Sequence, residues 1–210
     1  MSHFFPLVEW IDSEDISVFI DLADEALEAY AEQQENPMRN TQIWSELLGL
    51  SNKRYASVQS GSDEIALATL QVLLAVLRGV HWSHWTSHWQ ATGLPYYGDH
   101  LLLERLYESV IDEIDTLAEK IVGAYGSSAV QPVDQAQLMT NSLLPLAEAQ
   151  SEGNPIKRAL IMEEALQKIF KRVYSKLGQL DALTLGMDDF LMSMASAHET
   201  NLYLLRQRHR

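Results

Sequence analysis

The chain contains no cysteine. Disulfides, thiolate catalysis and thiolate-held zinc or iron–sulfur centres are thereby excluded. Basic residues are scarce: 15 Lys and Arg stand against 29 Asp and Glu, a formal net charge of −14, and residues 1–38 hold no Lys or Arg at all. A surface of that sign repels nucleic acid and anionic membranes and concentrates cations. Strand-like alternation is missing, and so is any internal repeat. No GxSxG elbow, P-loop or dinucleotide fingerprint is present, and His198-Glu199 lacks the second histidine of an HExxH zinc site. The opening MSHFFPLVEWIDSED has no basic n-region, which predicts no signal peptide. The charge-free run Ile65–Leu77 covers 13 residues, too short to cross a bilayer and suited to a buried helix. Together these absences predict a soluble, cytoplasmic protein with no membrane partner.

What is present reads as helix. Apolar residues make up 47% of 210, enough for one domain with a sizeable core. Ser13-Glu14-Asp15 opens a helix expected over 14–34, ended by Asn36-Pro37, and a short helix is expected over 41–48. Four longer ones follow, over 62–92, 97–125, 155–177 and 187–206. Gly93-Leu94-Pro95 separates the first two. Gly126 and two serines stop the second, Asn154-Pro155 starts the third as N-cap and first-turn proline, and Gly178 is its expected stop. The looser segment 127–153 has room for one short helix. The expected fold is all-α: a four-helix bundle over 61–210 behind an extra helical segment over 1–60.

The second long helix carries His100, Glu104, Asp115 and Glu119. At 100° per residue they sit at roughly 0°, 40°, 60° and 100° about the axis, so all four face one way. His88 lies just before the short turn, close enough for His88 and His100 to meet. Histidine with Glu and Asp is a donor set for iron, zinc or manganese. Yet Glu104 and Asp115 are separated by roughly 16 Å of helix, whereas metal–ligand bonds are about 2 Å. One chain cannot bring both ends to one ion. Two antiparallel copies of the helix about a two-fold axis can, and they would make two equal sites.

The stretch HWQATGLPYYGDHLLLERLYESVIDEIDTLAEKIVGAYG, residues 88–126, resembles the core of the Dps family, the ferritin-like mini-ferritins first known as DNA-binding proteins from starved cells. The shared pattern is His-Trp near a helix end, a Gly-containing turn and a second histidine twelve positions on. A carboxylate follows four later, and then Asp-x-x-x-Glu. His88, His100, Glu104, Asp115 and Glu119 stand at those spacings, with glutamate at Glu104 where the family commonly has aspartate. The resemblance implies a ferritin-like bundle, a di-iron ferroxidase centre shared between subunits, and a dodecameric homo-oligomer. It implies Fe(II) as substrate, peroxide or dioxygen as oxidant, and ferric mineral stored in a shell. Zinc would substitute at the site.

The same region holds three His-Trp pairs, at 81, 84 and 88. His81, His84 and His88 fall within roughly 60° of one another on the helix. His88 is the family ligand. His84 is expected beside it, as a supporting or accessory metal residue, and His81 as structural. Trp89 follows the ligand where the family has a tryptophan thought to intercept oxidising equivalents; Trp82 and Trp85 are expected to pack in the core or an interface. Met187, Met192 and Met194 are expected in the core. Arg206, Arg208 and Arg210 are expected to complement the last helix dipole. Two competing functions are a nucleoid-type DNA binder, which the acidic charge disfavours, and a shell protein that stores nothing.

Overall fold

The computed structural model describes residues 61–143 and 153–209. The helices expected over 14–34 and 41–48, with the rest of the 1–60 segment, and Arg210 lie outside the described residues. Among the described residues there is no strand, and the protein is all-α. Helix α1 spans Gly61–Gln90 and α2 Tyr96–Tyr125; a 3-10 turn at Ser127–Ala129 leads to α3, Pro132–Leu143; α4 spans Pro155–Gln179 and α5 Leu185–His209. The four long helices end within about three residues of their expected bounds, the usual scatter of helix termini. The short helix expected in the loose connection is α3.

Local chemistry explains the ends. Asn154 caps α4, its Oδ1 accepting from Ile156 N at 3.0 Å and Lys157 N at 3.2 Å, with Pro155 in the first turn. The stop expected at Gly178 is corrected: the helix runs through it to Gln179. Asp181 then takes the left-handed conformation, φ 55°, while Ala182 N donates to Leu177 O at 2.9 Å and Asp181 N to Gly178 O at 3.2 Å. That is a Schellman closure with aspartate where glycine is usual, a substitution the short polar side chain tolerates.

Helix α1 is the centre of the arrangement, packed on α2, α3 and α4, while α4 pairs with α5. It is long and apolar enough to cross a membrane by length and composition, but its apolar residues are mostly buried against those neighbours. Helix α3 approaches α1 closely at Gly79, where an added Cβ would stand 3.2 Å from Leu143 Cδ2. Gln71 Nε2 donates to Ala129 O at 2.6 Å, and Gln135 Nε2 donates to Gln71 O at 3.1 Å. These bonds hold the connection against α1.

The apolar interior is in two parts. The larger includes Leu73 and Leu77 of α1, Leu117 of α2, Leu166 and Phe170 of α4, and Leu191 of α5. The smaller lies toward the α1–α2 turn and includes Ala91, Leu103, Leu106, Ile156, Leu160 and Leu205. Along α1, α4 and α5 the boundary is marked by buried polar residues: His84, Glu163, His198 and Asn201. Met187 and Met194 are in the larger core as expected, but Met192 is corrected to the surface, at 60% exposure. It sits two residues from Met194, on the opposite side of α5.

Candidate metal centre

The α1–α2 turn brings two histidines together. Gly93 takes φ 85°, a conformation costly for any side chain, and Tyr96 N closes the turn on Gly93 O at 3.1 Å. The chain reverses at once, so the end of α1 lies against the start of α2. His88 Nδ1 donates to the carbonyl of His100 at 3.0 Å, and His100 Nδ1 donates to the carbonyl of His88 at 3.3 Å. The two rings stack, centroids 3.7 Å apart and 24° between planes, and Tyr96 stacks on His100 at 5.0 Å. A carbonyl can only accept, so each Nδ1 carries the hydrogen. In the neutral ring the lone pair is then on Nε2, the tautomer and fixed orientation that a metal-binding imidazole requires.

The carboxylates follow along the outer face of α2. Glu104 is half-buried, one turn beyond His100; Asp115 and Glu119 are exposed. The structure therefore joins His88 and His100 and keeps Asp115 and Glu119 on the same helix but farther along. Among the described residues, no three His, Asp or Glu side chains of one chain are arranged to hold a metal ion. Between the two ends lies Tyr107. Its ring is 5.3 Å from His88 and 6.0 Å from Trp85. Partial burial, then the Glu104 and Glu108 carboxylates, push its phenol up, so it stays protonated. Trp89 stands 4.8 Å from Trp85, and Trp82 is 6.2 Å from it on the other side. Trp82 and Trp89 are 51% and 57% exposed, so this aromatic row is surface rather than core. His81 is half-buried against Trp85 and Tyr107, a packing role as expected. Burial, and His84 after it, push its pKa down.

His84 goes elsewhere. It is fully buried, and its Nε2 donates to Glu163 Oε1 at 3.0 Å. It thus faces the interior while His88, one turn on, faces the α2 histidine. Glu163 also accepts from His198 Nδ1 at 2.5 Å and from Asn201 Nδ2 at 3.5 Å, and His198 Nε2 donates to Glu113 Oε2 at 2.9 Å. One residue from each long helix is thereby linked: His84, Glu113, Glu163, His198. His198 donates from both nitrogens to two carboxylates and is an imidazolium. Burial alone would lower its pKa, but its hydrogen bonds to Glu113 and Glu163 and their charges outweigh burial and raise it to about 10. Burial alone would raise Glu163, but the bonds and charges of His198 and His84 hold it down to about 2. The links run as a chain, from His84 through the two oxygens of Glu163 to His198 and on to Glu113, while His84 Nδ1 is buried without a hydrogen-bond partner.

This interior set escapes a motif search, because its members lie on four different helices. The signal that reveals it is phase. Glu163 falls between Leu160 and Leu166, His198 between Met194 and Leu202, and Glu113 between Val110 and Leu117, each in step with its helix's apolar stripe. A charged residue in core phase needs a buried partner.

No family model matches the chain, and no curated protein matches it.

Proposed function

We propose that the chain is a ferroxidase and iron store of the Dps kind, a ferritin-like four-helix bundle whose substrate Fe(II) binds between two copies. The observation that supports this most is the reciprocal His88–His100 lock, which holds the hydrogen on each Nδ1 and so leaves each Nε2 as the lone-pair nitrogen, on a chain whose Asp115 and Glu119 lie farther along the same helix. Antiparallel pairing of α2 with a second copy, about an axis near Ser109 and Val110, sets Asp115 and Glu119 of each against the histidines of the other. Ile111, 49% exposed, and Leu101, 43% exposed, are the apolar residues such a contact would cover.

In this reading His88 and His100 supply neutral nitrogens, and Asp115 and Glu119 of the second copy supply carboxylates, one bridging two irons. Glu104 binds directly or orients a bound water. The donor set suits Fe(II), and zinc would take the same place. Each of two Fe(II) ions gives up one electron; hydrogen peroxide takes both, with two protons, and leaves as water. Dioxygen is the alternative oxidant. The ferric product is deposited in a shell, a dodecamer on the family pattern. Direct binding of DNA is not expected. The charge is −14, and two of the C-terminal arginines are engaged, Arg206 with Glu164 and Arg208 with Asp99.

Mixed assembly tests the shared site. A chain lacking both histidines (His88→Ala with His100→Ala) and a chain lacking both carboxylates (Asp115→Ala with Glu119→Ala) should each be inactive in rapid Fe(II) oxidation. Refolded together, their mixed pairs contain one intact site, and activity should return. No recovery in mixtures shown by mass spectrometry to hold both chains would sink the proposal.

A further inference from the structure

We infer that Arg158, a buried guanidinium on α4, is a positioning residue for the His88–His100 pair, gripping the last turn of α1 on both sides of His88. The inference rests on the reading of that pair as metal ligands. Arg158 is 7% exposed. Its Nε donates to Ser87 Oγ at 3.0 Å, and a terminal nitrogen donates to Gln90 Oε1. Ser87 precedes His88 and Gln90 follows it by two, so one planar fork spans the ligand. The same turn of α4 supplies Ile156, Ala159 and Leu160 to the smaller core, where they meet Ala91, Leu103 and Leu106. Arg158 thus stands on a packed base, not on a mobile loop. On the other side of the turn Arg208 donates to Asp99 from two nitrogens, at 2.5 and 3.0 Å, one residue before His100.

The consequence follows from the reciprocal bonds. Each imidazole is oriented by the other residue's carbonyl, so a shift of the α1 terminus disturbs both rings at once. A buried guanidinium at a helix C-terminus also satisfies orphan carbonyl charge, which is a purely structural service. What separates the two roles is the state of the imidazoles. A helix cap need not affect which ring nitrogen carries the proton, whereas a positioning residue must.

The experiment uses the full chain as Gln90→Ala, which removes one arm of the grip at an exposed residue, and as Arg158→Gln. Histidine 15N NMR of the metal-free protein reads the tautomers, and Co(II) alone, followed by its visible absorption, reads affinity. The native chain should show His88 and His100 as the Nδ1–H tautomer. Gln90→Ala should bind Co(II) about threefold more weakly and Arg158→Gln about tenfold, with both tautomers populated and assembly size unchanged. Wild-type affinity and tautomers in both variants would overturn the inference. If Arg158→Gln does not fold, Gln90→Ala decides alone. If the native chain takes no Co(II), the ferroxidase reading fails, and the tautomer comparison still judges the positioning role.

Discussion

Two regions of this protein use the same side chains to opposite ends. In the interior, His84, His198, Glu113 and Glu163 are hydrogen-bonded to one another within the chain. On the outer face, His88 and His100 turn to backbone carbonyls, and Asp115 and Glu119 stay exposed on the same helix. Where imidazole meets carboxylate inside one chain, the contact links helices to one another. Where the two are kept apart, donor atoms remain for something from outside. Pairing within the chain marks structure here, and on the reading proposed above its avoidance marks a site completed by a second copy.

The largest effect should come from breaking the interior set. Glu163→Ala leaves His198 charged, buried and short of a partner, and removing one member of a buried ion pair costs about 3–5 kcal/mol. Urea denaturation should show a large fall in midpoint. A loss under about 1 kcal/mol would mean that the buried chain is not what holds α1, α4 and α5 in register.

The outer pair should respond the other way. His88→Ala with His100→Ala should slow rapid Fe(II) oxidation by about a hundredfold or more, since ligand loss exceeds the 10–100-fold cost of disturbing a ligand's support. Stability should fall by only about 1 kcal/mol, because neither ring anchors a core. Stopped-flow oxidation and urea denaturation on the same preparation give both numbers. Native oxidation rates with lost stability would reverse the assignment of the two regions.

Alkaline pH should weaken the interior set. The pKa of His198 is raised from 6.5 to about 10, so its stabilisation is complete below about 6.5 and is lost as pH rises through about 10. Glu163 is lowered from 4.5 to about 2, so its stabilisation is complete above about 4.5 and is lost as pH falls through about 2. Stability from this set therefore peaks between those inner limits and declines from pH 7 toward 10, by at most about 1.4 kcal/mol per pH unit. Denaturation midpoints across that range measure the slope. His198→Gln should flatten it; an unchanged slope would assign the alkaline loss to other groups.

The outer face was legible in the sequence because its residues lie on one helix and one turn, where 100° steps and a 1.5 Å rise fix their relations. The long helices were legible for the same reason, through Asn154-Pro155, Gly93 and Gly126. The interior set was not, because the contact between Glu163 and His198 depends on how α4 meets α5, which no local period encodes. His84 shows the limit most clearly: its phase is close to that of His88, and only packing decides that one meets Glu163 of α4 and the next the His100 carbonyl of α2.

The smallest effect should come from the residue next to the most critical one. Glu163 and Glu164 are neighbours on α4, one turned to His84 and His198, the other to solvent and Arg206 at 2.8 Å. The side chains of Arg206 and Glu164 are 56% and 21% exposed. Water and salt screen such a pair, and fixing two long side chains has an entropic cost, so pairs of this kind contribute about 0.2–1 kcal/mol. Their chemistry is no weaker than that of the interior; only the surroundings differ. Glu164→Ala should therefore move the urea midpoint barely at all, and the small change should vanish in molar salt, where the screening length falls to about 3 Å. The cost of Glu163→Ala should persist there, since salt does not reach a fully buried carboxylate. Equal costs for the two neighbours would show that burial is not what separates the inner carboxylate from the outer one.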